Sequence, residues 1–272
     1  MERVWLRHYP PGIPAEVDVH EFASLRDVLL RNCRHFGELP AFSNMGASMT
    51  FAELDRSSRN FAAYLQKSLG LRKGDRVAIM MPNLLQYPVT LFAALRAGLV
   101  VVNVNPQYTA PELEHQLIDS GAVAIVVLEN FAHTLQEVLQ RNPALKPAVI
   151  TTEVGDMFPA AKEWVTNAVV KYVKRMVPEW KIAGSTAFNA ALRAGHGQDL
   201  EEVPLGHDDT AFLQYTGGTT GVAKGAVLTH GNLIANVQQM AAWLAHDLVE
   251  GKEVFVCPLP LYHIFALTCT LV

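Results

Sequence analysis

The chain has 272 residues, 50% of them hydrophobic and 18% charged, with a formal net charge of −4. Such a composition belongs to a folded protein with a large core, and the slight acidity gives no general field for nucleic acid. Three cysteines, Cys33, Cys257 and Cys269, are odd in number and lack CxxC spacing, which argues against a disulfide framework or zinc ribbon and fits a reducing, cytoplasmic setting.

Glu21 to Phe36 alternates polar and apolar residues at helical spacing, with Leu25, Val28, Leu29 and Cys33 on one side. Residues 41–45 and 48–50 flank Gly46-Ala47 and predict a short hairpin. Thr50-Phe-Ala-Glu53 then forms a capping box that opens a helix to about Leu69. From Asp75 the pattern becomes βαβ. Arg76 to Met81 is an apolar strand, Leu84 to Ala97 a helix, and Leu99 to Val104 a second strand. Thr109-Ala-Pro-Glu112 is another capping box, with proline in the first turn of a helix reaching Ser120. Ala122 to Leu128 is almost purely apolar, as in a strand covered on both faces. A helix near 132–140 and a strand near 147–151 complete the series. Alternating strands and helices with short turns imply an α/β fold with a doubly wound, mainly parallel sheet and flanking helices.

Residues 161–180 place Trp164, Val165, Ala168, Val169, Tyr172, Val173, Met176 and Val177 in one stripe at helical spacing, with Lys162, Lys171, Lys174 and Arg175 largely elsewhere. A basic amphipathic helix of this kind suits a membrane interface. A surface helix packing its stripe on the core is the commoner case and is favoured here. Gly195 to Asp209, polar and rich in glycine and charge, is the expected linker.

The densest chemical signal is Tyr215-Thr-Gly-Gly-Thr-Thr-Gly-Val-Ala-Lys224-Gly225, between the strand-like runs 212–215 and 226–228. Gly217, Gly218 and Gly221 let backbone N–H groups converge on an anion. Thr216, Thr219 and Thr220 add hydroxyl donors, and Lys224 a mobile charge. A Walker A loop runs into a helix. Here a β-like run follows Lys224, which predicts a hairpin flap rather than that loop. A polar surface hairpin is the ordinary alternative, since glycine and threonine are common turn residues.

This segment resembles the phosphate loop of the adenylate-forming superfamily, which includes acyl- and aryl-CoA ligases and peptide-synthetase adenylation domains. The commonest form has Ser at the position of Gly217 and Pro at that of Ala223. The version here is most similar to bacterial long-chain fatty-acid–CoA ligases. Residues 49–54, 74–79, 97–106 and 260–263 match further family landmarks in order, so the resemblance spans essentially the whole chain.

The resemblance implies an incomplete portion of the large N-terminal domain of an adenylate-forming enzyme. Residues 1–195 would be its first α/β subdomain and 210–272 the start of the second, with the C-terminal domain absent. It also implies ATP, Mg2+ and coenzyme A as partners. Residues Tyr215 to Thr220, Gly221, Lys224 and Gly225 would hold ATP phosphates, and Thr216 would be a metal ligand. Tyr262 and His263 would contact the fatty acid, with Phe265 walling its chain. His230 and Asn232 are read as structural, and His115 as a solvated helix residue.

The activity implied is fatty-acid activation to acyl-AMP and then acyl-CoA. An aryl-acid ligase, a peptide-synthetase adenylation domain and a non-catalytic nucleotide-binding fragment remain open. The last eighteen residues carry no Lys, Arg, Asp or Glu and are expected to form a strand, a proline-rich loop and a helix start. That ending suggests the interior of a larger domain and predicts that these 272 residues alone make no acyl-CoA. The opening residues lack the pattern of a secretion signal. Peripheral contact with the inner face of the membrane through 161–180 and a homodimer complete the expectations.

Overall fold

The computed structural model describes residues 3–216, 223–245 and 247–268. Local signals set most element boundaries. Helix α1 (Leu25–His35) is capped by Ser24, whose hydroxyl accepts from the Asp27 N–H, and its first residue lies four positions after Glu21, where the periodicity begins. It buries Leu25, Val28, Leu29 and Cys33, the side the sequence marked. Strands β1 (Pro40–Asn44) and β2 (Ala47–Thr50) form the expected hairpin. Met45 (φ 50°) and Gly46 (φ 72°) supply its tight left-handed turn. The Thr50–Glu53 capping box opens α2 (Phe51–Ala63), which continues as a π turn to Ser68.

The sheet-forming elements follow: β3 (Arg76–Met80), α3 (Gln86–Arg96), β4 (Val100–Asn103), α4 (Ala110–Ser120), β5 (Ala124–Leu128), α5 (Ala132–Arg141) and β6 (Ala148–Thr152). Next come α6 (Ala160–Ala168), β7 (Thr186–Ala187), α7 (Phe188–Gly195), β8 (Thr210–Thr216), β9 (Lys224–Thr229) and α8 (His230–Leu244). The sheet runs β7-β6-β5-β3-β4-β8-β9. Neighbours pair in parallel except β9, which returns antiparallel along β8. Each face carries its own apolar layer. One, around Phe61, Leu91 and Phe188, lies under α1, α2, α3 and α7. The other, around Leu113, Val127 and Leu135, lies under α4 and α5. The 195–209 stretch, expected as a linker, starts on the last residue of α7 and leads to β8 within this one sheet, where β8 pairs with β4.

Two expectations fail. The helix over 161–180 is shorter: α6 passes into a π turn that ends at Val173, and Arg175 takes a left-handed φ of 52°. Its apolar stripe does not pack on the core, because polar contacts hold the other face inward and leave Trp164, Tyr172 and Val173 exposed. The strand expected from Phe255 does not form either. A strand needs a partner, and among the described residues none pairs with 253–257, which leaves Val254 and Val256 exposed. The short helical turn Ile264–Ala266 follows the proline-rich loop as expected.

Candidate functional site

The strand order reverses between β3 and β5: the chain adds β4 on one side of β3 and then returns to place β5 on the other. In open α/β sheets ligands settle at the carboxyl ends of the strands beside such a switch point. Both candidate segments lie at the carboxyl ends of strands, on the β4 side of that point. The stretch after β8 leaves from the carboxyl end of β8, and the 258–263 loop is held by Gln214 of β8 and by Asn83 and Tyr87, which follow β3.

The β8–β9 hairpin is the flap that the sequence implied. Thr216 and Lys224 stand opposite each other at its mouth, and both side chains are exposed. Gly217, Gly218, Thr219, Thr220 and Gly221 lie outside the described residues. Tyr215 points the other way, into the layer under α4, and its hydroxyl donates to Asp119 Oδ2 at 2.5 Å. Burial and the Asp119 carboxylate raise its pKa, so the phenol stays protonated. Gly225 makes room for this ring, since a Cβ there would meet Tyr215 ring atoms at 3.0 Å. His115, expected in solvent, instead lies 3.0 Å by its Nε2 from the Ala223 carbonyl. One helix therefore clamps both limbs of the hairpin: Asp119 at the end of β8 and His115 at the start of β9.

A buried polar network joins this hairpin to the Tyr262–His263 segment. Asn103 and Gln214 are register partners on β4 and β8, and Asn103 Nδ2 donates to Gln214 Oε1 at 3.1 Å. Gln214 Nε2 donates to the Tyr262 carbonyl at 2.9 Å. The fully buried Tyr87 hydroxyl contacts Asn103 Oδ1 at 2.7 Å and the Leu261 carbonyl at 2.9 Å. Asn83 adds two bonds, accepting from the Leu261 N–H at 2.8 Å and donating to the Leu259 carbonyl at 2.9 Å. Buried groups satisfied in this way fix a single geometry, because any unpaired member would be costly. The Tyr262 and His263 rings lie 4.7 Å apart, with Tyr262 half-buried and His263 exposed. Phe265 is exposed and Tyr108 half-buried. Burial, with Glu112 and Tyr262 nearby, raises the Tyr108 pKa.

His230 and Asn232 have structural places. Asn232 completes a capping box with Thr229 at the start of α8. His230 is buried, and its Nδ1 accepts from the Leu25 N–H at 3.2 Å, tying α8 to α1. Burial pushes its pKa down to about 4. Two open clefts, of about 330 and 430 Å3, lie elsewhere, beside Trp243 and along α6.

Fold and site together define a doubly wound α/β domain with a glycine- and threonine-rich hairpin and a nearby aromatic–His pair at the carboxyl ends of its strands. The chain belongs to the AMP-binding enzyme family, whose profile matches residues 29–272. It is 54% identical over 268 residues to a long-chain-fatty-acid–CoA ligase of Escherichia coli, covering 98% of this chain and 47% of that protein. The corresponding ligase of Haemophilus influenzae is 49% identical over 271 residues, covering 98% and 48%. Among solved structures, a long-chain-fatty-acid–CoA ligase from Archaeoglobus fulgidus superposes with a TM-score of 0.72 at 27% identity, covering 97% of this chain and 47% of its own. MbtA from Mycobacterium smegmatis gives 0.71 at 26% identity, covering 98% and 43%. The chain thus spans about half the length of the curated relatives it matches.

Proposed function

We propose that this chain carries the phosphate-binding and acid-binding part of a long-chain-fatty-acid–CoA ligase. In this reading a carboxylate oxygen of the fatty acid attacks the α-phosphorus of ATP. The bond to pyrophosphate breaks, giving acyl-AMP, and the coenzyme A thiol then displaces AMP to form the thioester. The substrate supplies its own nucleophile, so the protein's task is to position reactants and stabilise charge.

The observation that carries the proposal is the hairpin mouth, where Thr216 and Lys224 face each other on limbs that α4 clamps. A hydroxyl and an ammonium group at that spacing fit a polyphosphate. Mg2+, when bound, neutralises charge on the phosphate oxygens, and the Thr216 hydroxyl is the protein ligand offered to it. Few protein ligands are needed, because Mg2+ keeps much of its water. The Gln214–Tyr262 hydrogen bond keeps the acid-binding pair in register with the flap, so carboxylate and phosphate meet at a set distance. The long-chain reading is favoured over an aryl-acid ligase by identity: 54% and 49% to the long-chain enzymes of Escherichia coli and Haemophilus influenzae and 32% to that of Bacillus subtilis, against 30% over a shorter stretch to a rice 4-coumarate–CoA ligase-like protein. The setting is the cytoplasm, with peripheral contact at the inner face of the membrane through 161–180.

Two measurements test this. Hydrogen exchange on the 272-residue chain should show ATP-dependent protection across 215–225, lost in Gly218→Val. Protection elsewhere without protection there overturns the flap assignment. Pyrophosphate release by the longer protein containing these residues should depend on long-chain fatty acids. Release driven instead by aromatic or amino acids replaces the substrate class. The 272 residues alone should not form acyl-CoA.

A further inference from the structure

Helix α6 and the π turn after it present their amphipathic faces in the reverse of the usual sense. Their polar residues face the protein. Asn167 Oδ1 accepts from the Gly155 N–H at 2.7 Å, and its Nδ2 donates to Glu153 Oε2 at 3.0 Å. Lys171 Nζ donates to the buried Glu129 at 3.3 Å. Asn189 of α7 donates to Glu163 at 3.0 Å, and Lys162 donates to the Met45 carbonyl at the tip of the β1–β2 hairpin. The apolar residues face solvent: Trp164 is 74%, Tyr172 72% and Val173 71% exposed, with Val165 and Met176 also exposed. A surface helix normally spends such a stripe on the core. Here four separate polar attachments determine which face looks outward.

Charge narrows what covers this face. Residues 160–182 hold five Lys or Arg side chains against two Glu, in a chain whose overall charge is −4. Lys171 is used internally, but Lys174, Arg175 and Lys181 are exposed beside the apolar stripe. Tryptophan and tyrosine next to aliphatic residues and basic groups are the chemistry of a membrane–water interface. No helix among the described residues is long and apolar enough to cross a membrane, so the contact is with a surface. The helix follows β6, towards the edge of the sheet opposite the β8–β9 hairpin, which leaves the hairpin free while this face is occupied. We propose that the outward face of residues 164–176 is a docking surface for an anionic lipid bilayer. Trp164, Tyr172, Val173 and Met176 enter the interface, and Lys174 and Arg175 meet headgroup phosphates. The proposal rests on the fatty-acid reading in one respect: a long-chain acid is concentrated in the bilayer on which the enzyme would sit.

The test is partition onto vesicles of mixed phosphatidylglycerol and phosphatidylcholine, with pure phosphatidylcholine as control. Retention is expected on the anionic vesicles, weakening as ionic strength rises. Replacing Lys174 or Arg175 by alanine should weaken it about fivefold each, the effect of roughly one basic residue at such a surface. Trp164→Ser with Tyr172→Ser should weaken it more than about tenfold while leaving far-UV circular dichroism and melting temperature unchanged. Absent or salt-independent binding overturns the proposal. So does unchanged partition of the double variant. Sedimentation gives the rival outcome: a dimer that the double variant dissolves, with no vesicle effect, makes a second copy the occupant. If the 272 residues bind and the longer protein containing them does not, another part of that protein covers the face and the proposal falls. Pyrophosphate release separates this claim from the activity. Lost vesicle binding with intact release indicts the docking surface alone, and intact binding without fatty-acid-dependent release indicts the ligase reading alone.

Discussion

The two edges of the seven-stranded sheet are finished by different physics. At the β9 edge, positioning is polar: Asp119, His115 and the buried Asn103–Gln214 pair hold the hairpin and the 258–263 loop. At the β7 edge, a strand of only two residues leads into α7, which is anchored by apolar packing. Phe188 is fully buried with its ring 4.9 Å from that of Phe61, and Gly195 lets α7 press against the α2 backbone, where a Cβ would fall 1.9 Å from the Asn60 carbonyl oxygen. Helix α6 sits beside that edge on polar tethers. Apolar burial therefore carries stability at α7, and directional hydrogen bonds carry geometry where a hairpin, a loop or α6 must be held at a set place.

The largest expected effect tests the apolar edge. Phe188→Ala should cost about 3–5 kcal/mol in urea denaturation, the range for emptying a large buried aromatic site. A loss below about 1 kcal/mol would remove the contrast between the edges.

Acid should act on the two sides with opposite signs. Burial, foremost, raises the Asp156 carboxyl beside α6 to about 6, against an ordinary 3.8. Between those values the folded chain binds a proton that the unfolded chain does not, so acidification stabilises the fold through this group. His230, on the hairpin side, is held at about 4 against 6.5. There the unfolded chain takes the proton first, and acidification destabilises. Each effect is worth about 3 kcal/mol across its window. Asp156→Asn should therefore lose about that much stability relative to the parent as pH falls from 6.5 to 4. His230→Asn should gain a similar amount relative to the parent. Paired urea midpoints at the two pH values measure both, and parallel shifts would show that neither group carries the linkage.

A smaller effect is expected at the hairpin. Tyr215→Phe removes one hydrogen bond to an exposed carboxylate and should cost about 1 kcal/mol. Its sharper readout is ATP-dependent exchange protection across 215–225, which should weaken beyond what that destabilisation explains. Smallest of all, Trp164→Ser should change stability by no more than about 0.5 kcal/mol, as for an exposed side chain. A loss near 2 kcal/mol would mean that the stripe packs inward after all.

These contrasts also mark what was legible beforehand. Capping boxes at Thr50 and Thr109, the glycine turn at 46 and the apolar runs of the parallel strands are local signals, and the corresponding elements formed close to the expected boundaries. The β8–β9 hairpin was legible from the strand-like runs on either side of the glycine- and threonine-rich stretch. The residues that hold it were not. Asn103 and Gln214 are 111 positions apart, and each looks alone like an unremarkable amide at the end of a strand. Helical spacing assigns His115 to solvent because it does not say which segment will lie above it, here the Ala223 carbonyl. Periodicity found the stripe on α6 but could not give its direction, since a core-facing and a solvent-facing stripe have the same spacing. Only Asn167, Lys171 and Glu163, with partners elsewhere in the chain, settle the orientation.

The pairing of β8 with β4 has a consequence for the order of folding. Strands β3, β4, β5 and β6 can assemble from neighbouring βαβ units, whereas β8 must close across more than a hundred residues before its first contact is rewarded. The Gln214 bonds are thus expected among the last to form. Gln214→Leu should speed unfolding while leaving the refolding rate nearly unchanged, which stopped-flow measurements on both limbs would show. During refolding the β8–β9 hairpin and the 258–263 loop would then arrive together, and an early intermediate with four parallel strands already paired would lack both.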